Sequence, residues 1–113
     1  MLILERKVTV DELLHIEPKV FFDDMVKCVV DIEKEIIAVN AELHADLETY
    51  LLEHGSSQKN LYGINILEDG EIEYDSLINP PRNREAGFPR AGRTVADPAA
   101  REKIEEVVER WMN

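Results

Sequence analysis

Cysteine, basic residues and long apolar runs are all scarce in this sequence, and each shortage closes off a class of protein. The single cysteine, Cys28, rules out an internal disulfide; its alternation with Val26 and Val30 marks it as a small buried residue rather than a nucleophile. No apolar run approaches the roughly 20 residues that a membrane-spanning helix needs. The opening Met1-Leu2-Ile3-Leu4-Glu5-Arg6-Lys7 lacks the basic-then-apolar order of a signal peptide, so a cytoplasmic protein is expected. With 13 Lys and Arg against 24 Asp and Glu, the net charge is −11. Phosphate binding draws on clustered cations, so the surface as a whole is unsuited to wrapping nucleic acid. There are no internal repeats or low-complexity tracts, and no complete catalytic, metal or nucleotide motif.

What is present fits an ordered globular protein. The chain has 113 residues, of which 44% are hydrophobic and 33% charged, enough for one domain over 1–113 with its own core. The charge is uneven. Between Pro80 and Ala96 stand Arg82, Arg84, Arg90 and Arg93 with only Glu85 against them. That is a local +3, which leaves −14 on the remainder. Any contact with nucleic acid is therefore confined to this arginine loop.

The stretch Ala41-Glu42-Leu43-His44-Ala45-Asp46 gathers the few residues suited to chemistry. Read as extended chain, it puts Glu42, His44 and Asp46 on one face and turns Leu43 toward the core. Two carboxylates flanking an imidazole are a candidate metal site, or a candidate general base with acidic partners. The structural reading is the stronger one. Polar residues belong on the open face of an antiparallel strand, and Asp46 is equally placed to cap the helix that follows.

In chain order, Leu2-Ile3-Leu4 reads as a first strand. Thr9-Val10-Asp11-Glu12 reads as a capping box opening a helix, with Val8 and Leu13 as its hydrophobic staple. Pro18 stops that helix at or before Glu17, and Lys19 to Met25 has room for another helical turn carrying Val20, Phe21 and Phe22. Val26, Cys28, Val30 and Ile32 alternate, and Ile36-Ile37-Ala38-Val39 follows, which predicts a hairpin although its turn lacks Asn-Gly. A continuous helix is the competing reading; the β-branched content favours strands.

Leu47, Tyr50, Leu51 and His54 share a helix face ending at Gly55. Ser56 to Asn60 is a polar loop. Leu61 to Leu67 and Glu71 to Ile78 predict a second hairpin around Gly70, with Tyr62, Ile64 and Ile66 facing Ile72, Tyr74 and Ile78, and Asn65 in solvent. Gly63 interrupts the first of these strands and suggests a bulge or a close backbone approach. Residues 79–96 hold three prolines and two glycines and are expected to be an irregular loop. Asp97 and Pro98 then start a helix with Ile104, Val107, Val108 and Trp111 as its apolar stripe.

Several of these stretches, in this order, resemble a known family: Val30-Asp31-Ile32-Glu33, Glu42-Leu43-His44-Ala45-Asp46, Leu51-Leu52-Glu53 with Gly55-Ser56 and Gln58, and Ser76-Leu77-Ile78-Asn79. The family is one of short prokaryotic proteins known only as a domain of unknown function, family 5674. The resemblance runs from about Val26 through the C-terminal helix. Pro80-Pro81-Arg82-Asn83 and Gly92-Arg93-Thr94 occupy the places of the family's Arg-Pro segment and Asn-Arg-Ser-like triplet, with a longer insert between them. The resemblance implies a soluble prokaryotic protein and brings no activity, substrate or cofactor with it.

The expected fold is α+β: an antiparallel sheet of four or five strands, with helices packed mainly on one face. Two functions are compatible with the residues. One is a binding module that engages an anionic ligand or a partner protein through the arginine loop, with Arg82, Arg93, Ser56 and Gln58 as contacts, since the guanidinium fork suits carboxylate or phosphate. The other is a small hydrolase or nuclease-like enzyme with His44 as base or ligand, Glu42 and Asp46 as acidic partners, and Arg82 or Arg93 stabilising a developing anion.

Overall fold

Seven consecutive residue pairs, from Met25 opposite Leu67 to Asp31 opposite Leu61, join the two expected hairpins into one antiparallel sheet. The computed structural model describes residues 1–15, 22 and 24–112. Its strands are β1 (Leu2–Ile3), β2 (Met25–Asp31), β3 (Ile36–Val39), β4 (Leu61–Leu67) and β5 (Ile72–Glu73), in the order β1-β3-β2-β4-β5. The helices are α1 (Val10–Leu14), α2 (His44–Glu53), α3 (Asn79–Glu85) and α4 (Pro98–Trp111). The fold is α+β with a five-stranded antiparallel sheet, as expected.

The two sheet faces carry separate cores, as the period of two requires. Val26, Cys28 and Val30 of β2 and Tyr62, Ile64 and Ile66 of β4 point to one side, where α1 and α4 cover them. Burial there pushes the Cys28 thiol pKa well up, in keeping with an inert core residue. Val29, Ala38 and Leu61 point to the other side and meet Leu47 and Leu51 of α2. The terminal helices thus share one face, and α2, which links the hairpins, closes part of the other.

Local signals account for most element ends. Glu12 N–H donates to Thr9 Oγ1 at 3.0 Å and the Glu12 side chain returns to the Thr9 amide, a complete capping box. The stop expected at Pro18 and the turn carrying Val20 and Phe21 lie outside the described residues. The β2–β3 turn, lacking Asn-Gly, is closed by Asp31, whose Oδ1 accepts the amides of Glu33 and Lys34 at 2.9 Å each. Glu35 takes a φ of 58° there. At the end of α2, Gly55 (φ 96°) donates to Leu52 O and Ser56 to Leu51 O, a Schellman motif. Asp97 caps α4 through Ala99 N, with Pro98 in the first turn.

Three expectations are corrected. First, Asn79–Glu85 is helical rather than irregular. Pro80 and Pro81 sit in its first turn, where a missing N–H costs nothing. Second, β5 stops after Glu73, so Asp75 to Ile78 leave the sheet and Ile78 joins the α2 core instead of facing Tyr62. Third, Asn65 is buried rather than solvent-facing.

Side chains replace the missing length of β5. The Asn79 carboxamide accepts from Gly63 N–H and donates to Gly63 O, both at 2.9 Å, and Arg82 Nε donates to Leu61 O at 2.9 Å. Gly63 remains in register, so the close-approach reading holds rather than the bulge. A Cβ on Gly63 would overlap the Ser76 side chain and lie 3.2 Å from His44 Cδ2. Gly63→Ala should therefore lower stability by about 1–3 kcal/mol, read as a lower urea midpoint, and Ser76→Gly in the same chain should recover part of it. An unchanged midpoint for Gly63→Ala would contradict this packing.

Candidate functional site

On the α2-facing side of the sheet, beside the start of α2, a cleft of about 340 Å³ opens. Its floor is Met25 and Lys27 of β2, Asn65 of β4 and Glu73 of β5. One wall is the start of α2, Leu43 to Ala45, and the other is the strap Asp75 to Ile78 with Arg93. Leu43 and Leu77 are 54% and 77% exposed, so both stand as apolar groups at a polar site. Leu43 was expected in the core. It is instead the N-cap residue of α2, because the helix begins at His44 and its side chain swings outward.

His44 lines this cleft and is itself buried. Its Nε2 lies 2.8 Å from the Ile64 carbonyl, which can only accept, so Nε2 carries the proton. Burial holds the imidazole pKa below its ordinary value of 6.5, and Lys27 adds to this; the Ile64 carbonyl, Asp75 and Asn65 oppose it. The ring is thus neutral in the folded protein at pH 7. Beside it, Arg93 Nε donates to Asp75 Oδ1 at 2.6 Å, and that bond raises the arginine pKa further. Asn65 Nδ2 donates to Glu73 Oε1 at 2.8 Å.

The other residues singled out from sequence are dispersed. Glu42 and Asp46 are exposed and do not line the cleft. The extended face that would have aligned them with His44 does not form: residues 44 and 46 lie in the first turn of α2, where i and i+2 face apart. The N-cap expected at Asp46 is likewise taken by Leu43. Among the described residues, no group of three His, Cys, Asp or Glu is placed to hold a metal ion.

Arg82 is 5% exposed and bonded to Glu48 as well as to Leu61 O. It ties α3 to α2 and β4 and is not open to a ligand. Ser56 Oγ donates to Asp31 Oδ2 at 2.6 Å, bracing the β2–β3 turn, and Gln58 is exposed in a short 3-10 turn. Both lie by the Asp31 end of β2, roughly 20 Å along the strand from the Met25 end at the cleft. Arg84 and Arg90 are exposed and make no ion pair among the described residues.

The 79–96 segment is held by the interior face of α3. Asn83 Nδ2 donates to Gly92 O and Thr94 O, and Asn83 Oδ1 accepts from Ala96 N. Asn79 Nδ2 also donates to Arg93 O, which in turn accepts from Ser76 N. This places Arg93 over the strap. Sequence reasoning missed Lys27, Asn65, Glu73 and Asp75, because alternation alone assigns them to an open polar face. The one available signal was Gly63, whose missing side chain marks where Ser76 and His44 approach the sheet.

A family model for proteins of unknown function, DUF5674, matches residues 2–111. The chain belongs to that family. Neither a curated protein nor a solved structure matches it. In this DUF5674 member the stretches that carried the resemblance have structural work: Asp31 and Ser56 bond each other, and Ser76 and Asn79 enclose Gly63.

Two measurements follow from these contacts. The unfolded chain takes a proton on His44 near pH 6.5 and the folded chain resists it. The stability that His44 contributes is therefore full above pH 6.5 and is lost as pH falls through the lower folded value. Denaturation midpoints should drop between pH 7 and 5.5, and His44→Gln, which keeps a donor for Ile64 O, should flatten that drop. For the buried pair, Arg82→Met should cost about 3–5 kcal/mol by stranding Glu48, and Glu48→Met in the same chain should restore much of it. An Arg82→Met protein as stable as the parent would show that the pair is not desolvated.

Proposed function

We propose that this DUF5674 member is a single-domain, cytoplasmic binding module, and that it engages an anionic ligand in the cleft at the start of α2. The observation that carries this reading is the convergence of Lys27, His44 and Arg93 on one concave site. Lys27 makes no ion pair among the described residues. Arg93 spends only Nε on Asp75, which leaves its terminal nitrogens as donors. The first-turn amides of α2 have no side-chain cap and carry the positive end of the helix dipole. Leu43 and Leu77 add exposed apolar surface for the body of the ligand.

This refines the arginine-loop reading. Arg93 keeps its role, Arg82 becomes a structural residue, and Ser56 and Gln58 stand apart. A hydrolase built on His44 would need its carboxylates from Glu73 and Asp75, since these, and not Glu42 and Asp46, share the cleft. The absence of a membrane-crossing helix among the described residues is consistent with action away from the lipid core.

The test is an amide NMR titration of the full chain at pH 7 with inorganic phosphate. Shifts should centre on residues 43–45, 75–77 and 93, and Lys27→Ala and Arg93→Ala should each weaken binding about tenfold. Shifts confined to Arg84 and Arg90 would move the site to the outer part of the 79–96 segment, and a silent spectrum would remove the anion reading.

A further inference from the structure

His44 is buried with one ring nitrogen already committed as a donor. Its Nε2–H is spent on the Ile64 carbonyl at 2.8 Å, so Nδ1 carries only a lone pair. Asn65 lines the same cleft, and its carboxamide acts to raise the imidazole pKa against the effect of burial. Its amide nitrogen is committed to Glu73, which fixes the way the carboxamide points. Among the described residues its Oδ1 has no donor, in a residue only 4% exposed. A buried acceptor in that state is a defect unless something can supply a proton to it. A second proton on the imidazole, at Nδ1, is such a donor.

Among the described residues, the charges lining the cleft are balanced until that proton arrives. Lys27 on β2 and Arg93 beside the strap stand against Glu73 on β5 and Asp75 on the strap. α2 contributes no further charged side chain to the cleft, only its uncapped first turn. Among the described residues, the lining has no net formal charge with His44 neutral and one positive charge with His44 protonated. A negative ligand and a proton therefore each supply what the other lacks. The ligand offsets the burial of an imidazolium, and the proton gives the ligand a net positive site.

We propose that the cleft takes up a small oxyanion together with one proton, which goes to Nδ1 of His44 and is accepted in hydrogen bonding by Asn65 Oδ1. This rests on the anion-binding reading above and adds its regulation. No bond is made or broken other than the N–H. Because linkage is reciprocal, the anion raises the proton affinity of His44 by the factor by which the proton raises the affinity for the anion. In the pH range where His44 is neutral in the free protein and charged in the complex, binding weakens by up to about tenfold per pH unit. Asn65 acts as a positioning residue, since it works through the imidazole.

The experiment uses sulfate, whose own charge is constant from pH 5.5 to 8, and follows both amide shifts and the His44 ring protons of the full chain. Sulfate should raise the midpoint of the His44 titration, and its dissociation constant should rise with pH. In His44→Gln that pH dependence should vanish, while in Asn65→Leu the His44 midpoint with sulfate bound should fall. Sulfate that binds at the cleft equally well across the range, with the His44 titration unmoved, overturns the proton linkage and leaves the anion-binding reading standing. Sulfate that shifts no cleft residue at any pH overturns both.

Discussion

A single carboxamide stands in for a strand at the edge of β4. Asn79 takes both the N–H and the C=O of Gly63, the pair of bonds that a neighbouring strand would otherwise make. Much else depends on this. The bonds hold the first turn of α3 against the sheet, and the spare proton of the same amide reaches Arg93 O, which positions the strap. Gly63 must in turn be bare, because Ser76 and His44 occupy the volume above it. The cleft is thus a by-product of how the second hairpin is finished: β5 ends early, the chain doubles back, and its side chains complete the ladder.

The parts of the fold legible in the sequence are those fixed by nearby residues. Thr9 and Glu12 cap α1 across three positions, Asp97 and Pro98 open α4, and Gly55 closes α2. The β2–β3 hairpin was readable from its β-branched residues even though its turn signal was weak, and Asp31 explains how the turn closes without Asn-Gly. What escaped depends on distant partners. The inward face of α3 is held by a bond to Gly63, 16 residues back, and Arg82 meets Glu48 across 34 residues. An arginine among prolines and glycines looks like a ligand contact until its buried partner is known.

The candidate site shows the same division. His44 was singled out for the company of Glu42 and Asp46, yet its neighbours come from β2, β4, β5 and the strap. Local geometry accounts for the difference: an extended chain would align the three residues, whereas a helix begins at His44. The residue type was still informative. A buried imidazole bonded to a backbone carbonyl, in a cleft that also holds Lys27 and Asp75, is sensitive to charge in its surroundings.

The outermost strands, β1 and β5, are two residues long each. A sheet that is not closed into a barrel ordinarily offers its rims as templates on which another extended chain can grow. Here the long β4 has its otherwise open carbonyl at Leu61 and both groups at Gly63 already occupied from within the same chain. The open edge of β4 beyond the short β5 is thereby blunted, while the sheet stays open. An extended chain adding to this sheet would find little free backbone along β4 to start from.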